Sequence, residues 1–398
     1  MAADMNDRRA KEAMERYSVD CLLACSIENV QYVTGFRSFL KQVDPLVQTF
    51  GIYTGNAKND RLVAPYSEAD VVSLSDLRVN NVHLYGTFPI VISEQDTNEK
   101  EKVLTSLLLR KSSDTVEQAL VEALQECGLR GTTIGVDEKA IHQGILDNLK
   151  RSMPSTKFVP ASDIFRYIRS VKTEQEIKKL RDVVELTEKA IEDSTPLIQG
   201  GTTAEIIKRI ESTEVQAGAR PIFTVVASSP LASFPNAPGT DHIIMKGEPV
   251  RYDIGCMLQG YCSDLGRTYT FSKPNEKISR YYQALLKGLE DALQDVRAGV
   301  KASHIFSTAV SSVRKNGIPY YERHHVGHGI GLSVYDSPAI TMNSNDILEE
   351  GMVINVETPF YQLGFTGLIV EDCIIVRKEG YELLSKLPRE IEHFSGSV

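Results

Sequence analysis

The chain has 398 residues, of which 42% are hydrophobic, and its formal net charge at pH 7 is −9. This length exceeds the usual size of a single hydrophobic core, so we expect two domains. An acidic chain without a basic stripe is a poor candidate for binding nucleic acid, and no apolar run in it reaches the length of a membrane span.

The cysteines and the amino terminus predict a cytoplasmic protein. Six cysteines are scattered through a chain far larger than a disulfide-stapled domain, which favours reduced thiols. Residues 1–17 are charged throughout and lack the pattern of an export signal. We therefore expect a soluble protein that has no membrane partner.

The amino-terminal part alternates between helix and strand patterns. Asp114 and Glu117 have the spacing of a helix-capping pair. The alternation predicts an α/β domain, and no phosphate-cradling glycine motif is present. The patterns predict helices over 7–17, 114–125 and 138–150, and strands over 21–25, 132–136 and 157–159.

A domain boundary is expected within residues 153–171. This segment contains Pro154 and Pro160 and shows little periodicity. We place the domains at 1–160 and 161–398. Two helices should follow the boundary, because Thr173 with Glu176, and then Thr202 with Glu205, have capping-box spacing.

Residues 250–270 predict a hairpin that carries two carboxylates. Gln259 and Gly260 form the short connection between two strand-like runs. A tight turn there would place Asp253 opposite Gly266 and diagonally across from Asp264, on one face of the ribbon. A metal ion between the two acids would relieve their repulsion, whereas the simpler alternative is a solvated face.

A second acid-bearing pair of strands follows two further predicted helices, at about 278–296 and 302–315. The strand-like runs 352–358 and 367–376 carry Glu357 and Glu371. Between the two acid-bearing regions lies HHVGHGIGL, whose glycines permit close backbone approach and whose His328 is the natural nitrogen ligand. Four carboxylates and one imidazole suit two hard divalent ions such as Mn²⁺. We expect the helices to back a curved antiparallel sheet whose open side holds these ligands.

The motifs DIG, SDLGRT, GHGIGL, VET and VED carry Asp, Asp, His, Glu and Glu in that order, and they resemble the pita-bread metallohydrolases. That family includes aminopeptidase P, prolidase, methionine aminopeptidase and the non-metal relative creatinase. The match covers the chain from about Lys172 onward, and SIENVQYVTGF at 26–36 more loosely resembles the creatinase and prolidase amino-terminal domain. The resemblance implies an α/β amino-terminal domain followed by an α+β pita-bread catalytic domain.

The resemblance also assigns roles to these residues. It implies that Asp253, Asp264, His328, Glu357 and Glu371 bind two divalent ions, with Mn²⁺ preferred and Co²⁺, Zn²⁺ or Fe²⁺ possible. Such ions lower the pKa of water and polarise a carbonyl, which suits hydrolysis of an amide C–N bond. Glu357 would also handle the proton of the attacking water. His324 matches a family histidine that contacts substrate and helps to move protons, although a structural role is the alternative; His325 should face the other way. The resemblance further implies a homodimer.

Three positions that contact substrate in relatives differ in this chain. Asn236 and Tyr335 stand where prolidase-like enzymes have histidines, and Ile369 stands where aminopeptidase P has an arginine. Neither Asn nor Tyr moves a proton near pH 7 as imidazole does, so substrate binding must differ. Arg37 is a candidate anchor for a substrate carboxylate, or else an ordinary exposed arginine.

Three functions are compatible with this pattern. The first is a metal-dependent hydrolase of Xaa-Pro dipeptides or short peptides. The second is a hydrolase of a non-peptide C–N bond in a small metabolite, as in creatinase or ectoine hydrolase. The third is a non-catalytic binding module, but retention of all five ligands argues against it.

Overall fold

The computed structural model describes residues 5–92 and 98–394, and the chain divides into two compact units, Met1–Arg169 and Ser170–Val398. The division lies after the position 160/161 that the sequence suggested. The helix that follows residue 160 belongs with the first unit, because Ser162 Oγ donates a hydrogen bond to Asp137 at 2.8 Å and Arg169 donates to Asn29 at 2.6 Å.

The first unit is an α/β domain built on one mixed sheet. Its strands are β1 Cys21–Ala24, β2 Phe50–Tyr53, β3 Arg61–Pro65, β4 Asn81–Tyr85, β5 Thr133–Val136 and β6 Lys157–Pro160, in the order β4-β3-β2-β1-β5-β6. Its helices are α1 Asp7–Tyr17, α2 Ile27–Thr34, α3 Phe39–Val43, α4 Ala69–Leu74, α5 Glu99–Leu108, α6 Val116–Glu126, α7 Gln143–Ser152 and α8 Ser162–Ser170. Buried side chains of α6 and α7 pack against β1, β2 and β5 to form its core.

Two sequence expectations for this unit need correction. Helix α6 is capped by a box of Thr115 and Gln118, with reciprocal bonds, rather than by Asp114 and Glu117. Helix α7 begins after His142, later than the predicted residue 138, because the preceding residues form a turn in which Ala140 N donates to Asp137 O at 3.1 Å.

The second unit combines helices with antiparallel sheet. Its helices are α9 Glu174–Ser194, α10 Thr203–Gln216, α11 Glu276–Asp295 and α12 Ala302–Asn316. Its longer strands are β7 Arg220–Ala227, β8 Pro249–Leu258, β10 Leu265–Phe271, β13 Val353–Glu357 and β16 Glu371–Arg377. Its short strands are β9 Tyr261–Cys262, β11 Gly327–Gly329, β12 Asp336–Ala339, β14 Phe360–Gln362, β15 Thr366–Leu368, β17 Gly380–Leu383 and β18 His393–Phe394.

Two sheets of this unit carry the predicted ligands. One has the order β18-β10-β8-β7, and the other has the order β12-β11-β13-β16-β17. Thr268 on β10 exchanges two hydrogen bonds of 2.9 Å with the backbone of Ile369, which joins the sheets near their ligand-bearing ends. Helices α11 and α12 pack against β13 and β16 in one apolar core. The expected curved sheet backed by helices is therefore confirmed.

Two helices of this unit begin at the residues that the sequence predicted. Thr173 with Glu176 and Thr202 with Glu205 form complete capping boxes at α9 and α10. Each box pairs two backbone donors that would otherwise lack partners at the helix end. No helix within residues 5–92 and 98–394 is long and apolar enough to cross a bilayer.

Candidate metal centre

The first hairpin has the register that the sequence predicted. Gln259 and Gly260 both have positive φ, 54° and 86°, as a type I′ turn requires, and they connect β8 to β9 and β10. Asp253 pairs with Gly266, so Asp264, two residues earlier, lies diagonally across from it. Burial and the nearby charge of Asp264 raise the pKa of Asp253 to about 7.

The second group of predicted ligands comes from three neighbouring strands. Glu357 on β13 stands directly opposite Glu371 on β16. His328 on β11 pairs with Asn355 on β13. The sheet register thus places all three predicted ligands at one end of the same set of strands.

The structure brings Asp264, His328 and Glu371 together. One donor atom from each lies within 4.8 Å of the others, and all three residues are buried. Nε2 of His328 is 3.4 Å from Oδ2 of Asp264, and its Nδ1 is 3.1 Å from the carbonyl of Gly329. A neutral imidazole that donates from Nδ1 to this carbonyl would direct the Nε2 lone pair to the carboxylates, which is the orientation of a metal ligand.

The electrostatics of this cluster fit a divalent cation. Burial, followed by the charges of Asp264 and Glu357, raises the pKa of Glu371 well above its usual range. Burial also raises the pKa of Asp264. Burial alone would lower the pKa of His328, but Asp264, together with Glu357 and the carbonyl of Gly329, outweighs burial and raises that pKa. Closely spaced buried carboxylates with an imidazole form an oxygen-rich donor set that a divalent ion can neutralise.

Asn355 forms hydrogen bonds to two of the predicted ligands. Its Nδ2 donates hydrogen bonds of 2.8 Å to Oε1 of Glu371 and to the backbone carbonyl of Asp264. Gly266 provides the space beside them, because a Cβ at that position would lie 2.6 Å from Ile369 Cδ1 and 2.9 Å from Oε2 of Glu371. No motif or spacing in the sequence indicates this role of Asn355.

Asp253 faces a buried arginine that was not among the residues predicted from the sequence. Nη1 of Arg251 lies 3.6 Å from Oδ2 of Asp253, and the arginine side chain is fully buried. Its Nη2 donates to the carbonyls of Phe234 and Pro235 at 2.7 and 3.0 Å, and its guanidinium lies 5.0 Å from the centre of the Tyr361 ring. Strand parity could have revealed this contact, since residues 251 and 253 share one face of β8.

Glu357 is held by His325 and Arg323. Nδ1 of His325 lies 2.9 Å and Nη2 of Arg323 lies 3.6 Å from Oε1 of Glu357. Burial would raise the pKa of Glu357, but these two partners outweigh it and lower that pKa. The expectation that His325 faces away from the site is wrong. His324 is exposed, and its ring centre lies 4.2 Å from that of His325.

The predicted substrate contacts have different surroundings. The ring centre of Tyr335 lies 4.2 Å from that of His328, and the tyrosine is 64% exposed, so it flanks the centre. Ile369 is buried beside Gly266. Asn236 is exposed and directly follows the two carbonyls that Arg251 binds. Arg37 belongs to the first unit, where its Nη1 donates to Gln31 at 2.8 Å.

Two protein-family models match this chain. The model of metallopeptidase family M24 matches residues 178–378, and that of the creatinase/prolidase N-terminal domain matches residues 8–171. An Xaa-Pro dipeptidase from Pyrococcus horikoshii is 27% identical over 392 residues, covering 97% of this chain and 99% of the relative.

Solved structures give the same result for the fold. The prolidase from Pyrococcus horikoshii OT3 superposes with a TM-score of 0.77 at 25% identity, covering 97% of this chain and 99% of that one. An Xaa-Pro dipeptidase from Bacillus anthracis has a TM-score of 0.80 at 21% identity and covers 98% and 99%; at that identity the likeness shows the fold alone. The family match spans just over half of the chain and includes the whole candidate centre, so this chain belongs to metallopeptidase family M24.

Proposed function

We propose that the protein is a metal-dependent Xaa-Pro dipeptidase that hydrolyses the bond between the first residue and a following proline. The observation that carries the proposal is the buried convergence of Asp264, His328 and Glu371. Membership of the metallopeptidase family and the full-length similarity to an Xaa-Pro dipeptidase support it. These relatives favour a peptide substrate over a non-peptide C–N bond.

The donor set supports binding of divalent ions by the five predicted residues. Asp264, His328 and Glu371 would hold one ion, and Asp253 and Glu357 would complete a second position. We propose Mn²⁺ as the metal, because four carboxylates form a predominantly oxygen-donating site. When bound, such ions supply Lewis acidity and lower the pKa of water at the centre.

Glu357 is the proposed proton acceptor of the reaction. Its lowered pKa keeps the carboxylate ionised, so it can take a proton from the attacking water. His325 and Arg323 both contact its Oε1, which fixes the direction of the carboxylate. His325 is therefore proposed as a positioning residue for the base.

The surrounding side chains are proposed to hold the peptide. His324, exposed beside His325, would contact the substrate backbone. Tyr335, whose ring lies close to that of His328, can donate a hydrogen bond but cannot shuttle a proton near pH 7, and the same applies to the amide of Asn236. Ile369 would contribute an apolar contact. For Arg37 the role of carboxylate anchor stays a proposal.

Hydrolysis of matched dipeptides tests the proposal. Chelator-treated protein would be assayed with Met-Pro and Met-Ala, before and after addition of Mn²⁺. We expect turnover of Met-Pro that depends on metal, with Met-Ala at least about tenfold poorer in kcat/KM. Equal rates on both dipeptides would contradict the Xaa-Pro assignment, and absence of any metal-dependent hydrolysis would contradict the peptidase assignment.

We also propose a cytoplasmic homodimer. The six cysteines are all free thiols, as suits a reducing compartment. Light scattering at micromolar concentration would give twice the chain mass of 44.2 kDa for a dimer, and a single chain mass would contradict it.

A further inference from the structure

Two arginine side chains contact the carboxylates that are proposed to complete the second ion position. Nη1 of Arg251 lies 3.6 Å from Oδ2 of Asp253, and Nη2 of Arg323 lies 3.6 Å from Oε1 of Glu357. Both arginines are shielded from solvent, since 0% of the Arg251 side chain and 13% of the Arg323 side chain are exposed. Charges in such surroundings are screened by dissolved salt much less than charges on the surface. Each carboxylate of the second position therefore has a positive charge beside it.

The carboxylates of the first position, formed by Asp264, His328 and Glu371, have different partners. Oε1 of Glu371 accepts a hydrogen bond from the neutral amide of Asn355, and Asp264 is paired with the imidazole of His328. Across residues 5–92 and 98–394, neither of these two carboxylates forms an ion pair with a lysine or an arginine. The three side chains whose donor atoms converge within 4.8 Å can therefore bind a metal ion without a competing arginine.

Arg251 depends on Asp253 for compensation of its charge. Its Nη2 donates to the carbonyls of Phe234 and Pro235 at 2.7 and 3.0 Å, and its guanidinium lies 5.0 Å from the centre of the Tyr361 ring. These partners are neutral, and Asp253 is the one carboxylate that pairs with Arg251 among the described residues. The guanidinium of arginine is always protonated in proteins. Because a buried charge that loses its partner is strongly destabilising, the arginine and the carboxylate stay together.

A metal ion bound by Asp253 has to share that carboxylate with the guanidinium. The ion and Arg251 are both positive and repel each other across a poorly screened distance. The nitrogen and the oxygen are 3.6 Å apart, which is longer than a hydrogen bond, so Asp253 keeps lone pairs that can bind an ion. The contact therefore weakens binding at the second position without preventing it.

We propose that Arg251 is a built-in counter-cation that lowers the affinity of the second position, formed by Asp253 and Glu357, for its metal ion. The inference rests on the proposed metal-dependent function and specifies how occupancy of that centre is regulated. The first position fills at low Mn²⁺ concentration, and the second fills as the free Mn²⁺ concentration rises. Arg323 acts on Glu357 in the same direction but also orients the base, so Arg251 is the residue whose charge can be tested separately.

Calorimetric titration of the chelator-treated protein with Mn²⁺ measures both affinities without an assay of activity. For the wild type we expect two binding steps, with a dissociation constant for the second ion at least about tenfold above that for the first. Arg251→Gln removes the charge but keeps a side-chain amide that can donate hydrogen bonds, and it should lower the second dissociation constant about 10- to 100-fold. Arg251→Lys retains a positive charge and should keep the steps apart. Arg8→Gln, the same substitution at an exposed residue of the first unit, should bind Mn²⁺ as the wild type does.

Three results would overturn the role of Arg251 while leaving the peptidase proposal intact. The first is a single wild-type step that takes up two equivalents of Mn²⁺. The second is a dissociation constant for the second ion that Arg251→Gln leaves unchanged. The third is an effect of Arg251→Lys as large as that of Arg251→Gln. A wild type that binds one ion supports the inference if Arg251→Gln binds two, and overturns it if this variant also binds one.

The remaining outcomes are also decisive. If Arg251→Gln does not fold, titration of Glu357→Gln identifies the weaker position: loss of the weaker step supports the inference, and loss of the tighter step overturns it. Absence of Mn²⁺ binding by the wild type and by every variant would contradict the metal-dependent function itself, and the role of Arg251 with it.

Discussion

Nδ1 of His325 lies 2.9 Å from Oε1 of Glu357, whereas the adjacent His324 is exposed. Two consecutive histidines therefore have different relations to the proposed base. We propose that His325 orients the carboxylate and that the exposed His324 contacts the substrate.

Substitution of the two histidines should separate these roles. His325→Ala is expected to lower kcat about 100-fold, because Glu357 loses the group that orients it. His325→Gln, which keeps a donor, should recover part of this loss. His324→Ala should act mainly on KM. Steady-state kinetics with Mn²⁺ content measured for each variant would check this, and a larger loss of kcat for His324→Ala would contradict the assignment.

Metal binding should release protons near neutral pH. Burial raises the pKa of Asp253 to about 7, and burial with the neighbouring carboxylates also raises the pKa of Glu371, so we expect both carboxyl groups to retain protons that a cation must displace. Affinity for Mn²⁺ should rise by about tenfold per pH unit for each proton displaced, until pH passes about 7 for Asp253. Calorimetry in two buffers of different ionisation enthalpy measures the protons released. Binding that is independent of pH between 6 and 8 would be inconsistent with this centre.

The same pKa shift affects the stability of chelator-treated protein. A carboxyl group whose pKa is higher in the folded than in the unfolded chain stabilises the fold fully at pH values below its pKa in the unfolded chain. This contribution is lost as the pH rises through its pKa in the folded chain. For Asp253 this window runs from its ordinary value of 3.8 to about 7. Addition of Mn²⁺ should restore the melting temperature most strongly above pH 7.

Loss of the Asn355 amide should weaken metal binding. Its two hydrogen bonds orient Glu371 and the backbone of Asp264, and removal of such supporting contacts typically weakens affinity about 10- to 100-fold. Asn355→Ala should therefore raise the dissociation constant for Mn²⁺ by that factor. The control Asn275→Ala removes the cap of α11 and should lower stability by about 1 kcal/mol without changing metal affinity. Equal affinities in both variants would count against the role of Asn355.

The local sequence pattern predicted the first hairpin, because a two-residue turn allows only one register between the two strands that it connects. The Asp253–Gly266 pairing followed from Gln259-Gly260 and the alternation of side chains alone. Capping boxes at α9 and α10 were predictable for the same reason, since each depends on residues three apart.

Contacts between distant segments were not predictable in the same way. The hydrogen bond of His325 to Glu357 depends on how β11 lies against β13, and the support of Glu371 by Asn355 depends on the register of β13 and β16. The predicted cap of α6 was wrong by one residue. Asp114 and Thr115 can both cap a helix, and each is followed three residues later by a side chain that can complete a capping box. The local sequence left both choices open.

A buried glutamate outside the centre should make stability depend on pH. Both side-chain oxygens of Glu214 are buried and have no hydrogen-bond partner in the described part of the chain, and burial, with the charge of Glu211, raises its pKa to about 7. Below the ordinary value of 4.5 the group is neutral in both states. As pH rises toward 7 the unfolded chain ionises first, so stability falls.

Glu214→Gln removes this dependence. The variant should melt on the order of 2–4 °C or more above the wild type at pH 8 and close to it at pH 4. Glu185→Gln, at an exposed position of α9, serves as the matched control and should show no such difference. A wild type that is as stable as Glu214→Gln at pH 8 would refute the buried-charge argument.

The central claim is that Asp264, His328 and Glu371 bind the ion on which hydrolysis depends. The most direct measurement is Mn²⁺ content together with Met-Pro hydrolysis for the wild type, His328→Asn and the control His304→Asn, which alters an exposed histidine on α12. We predict that the wild type and His304→Asn bind Mn²⁺ and hydrolyse Met-Pro, whereas His328→Asn loses both. Hydrolysis by His328→Asn at the wild-type rate, or by wild-type protein that holds no metal, would contradict the claim.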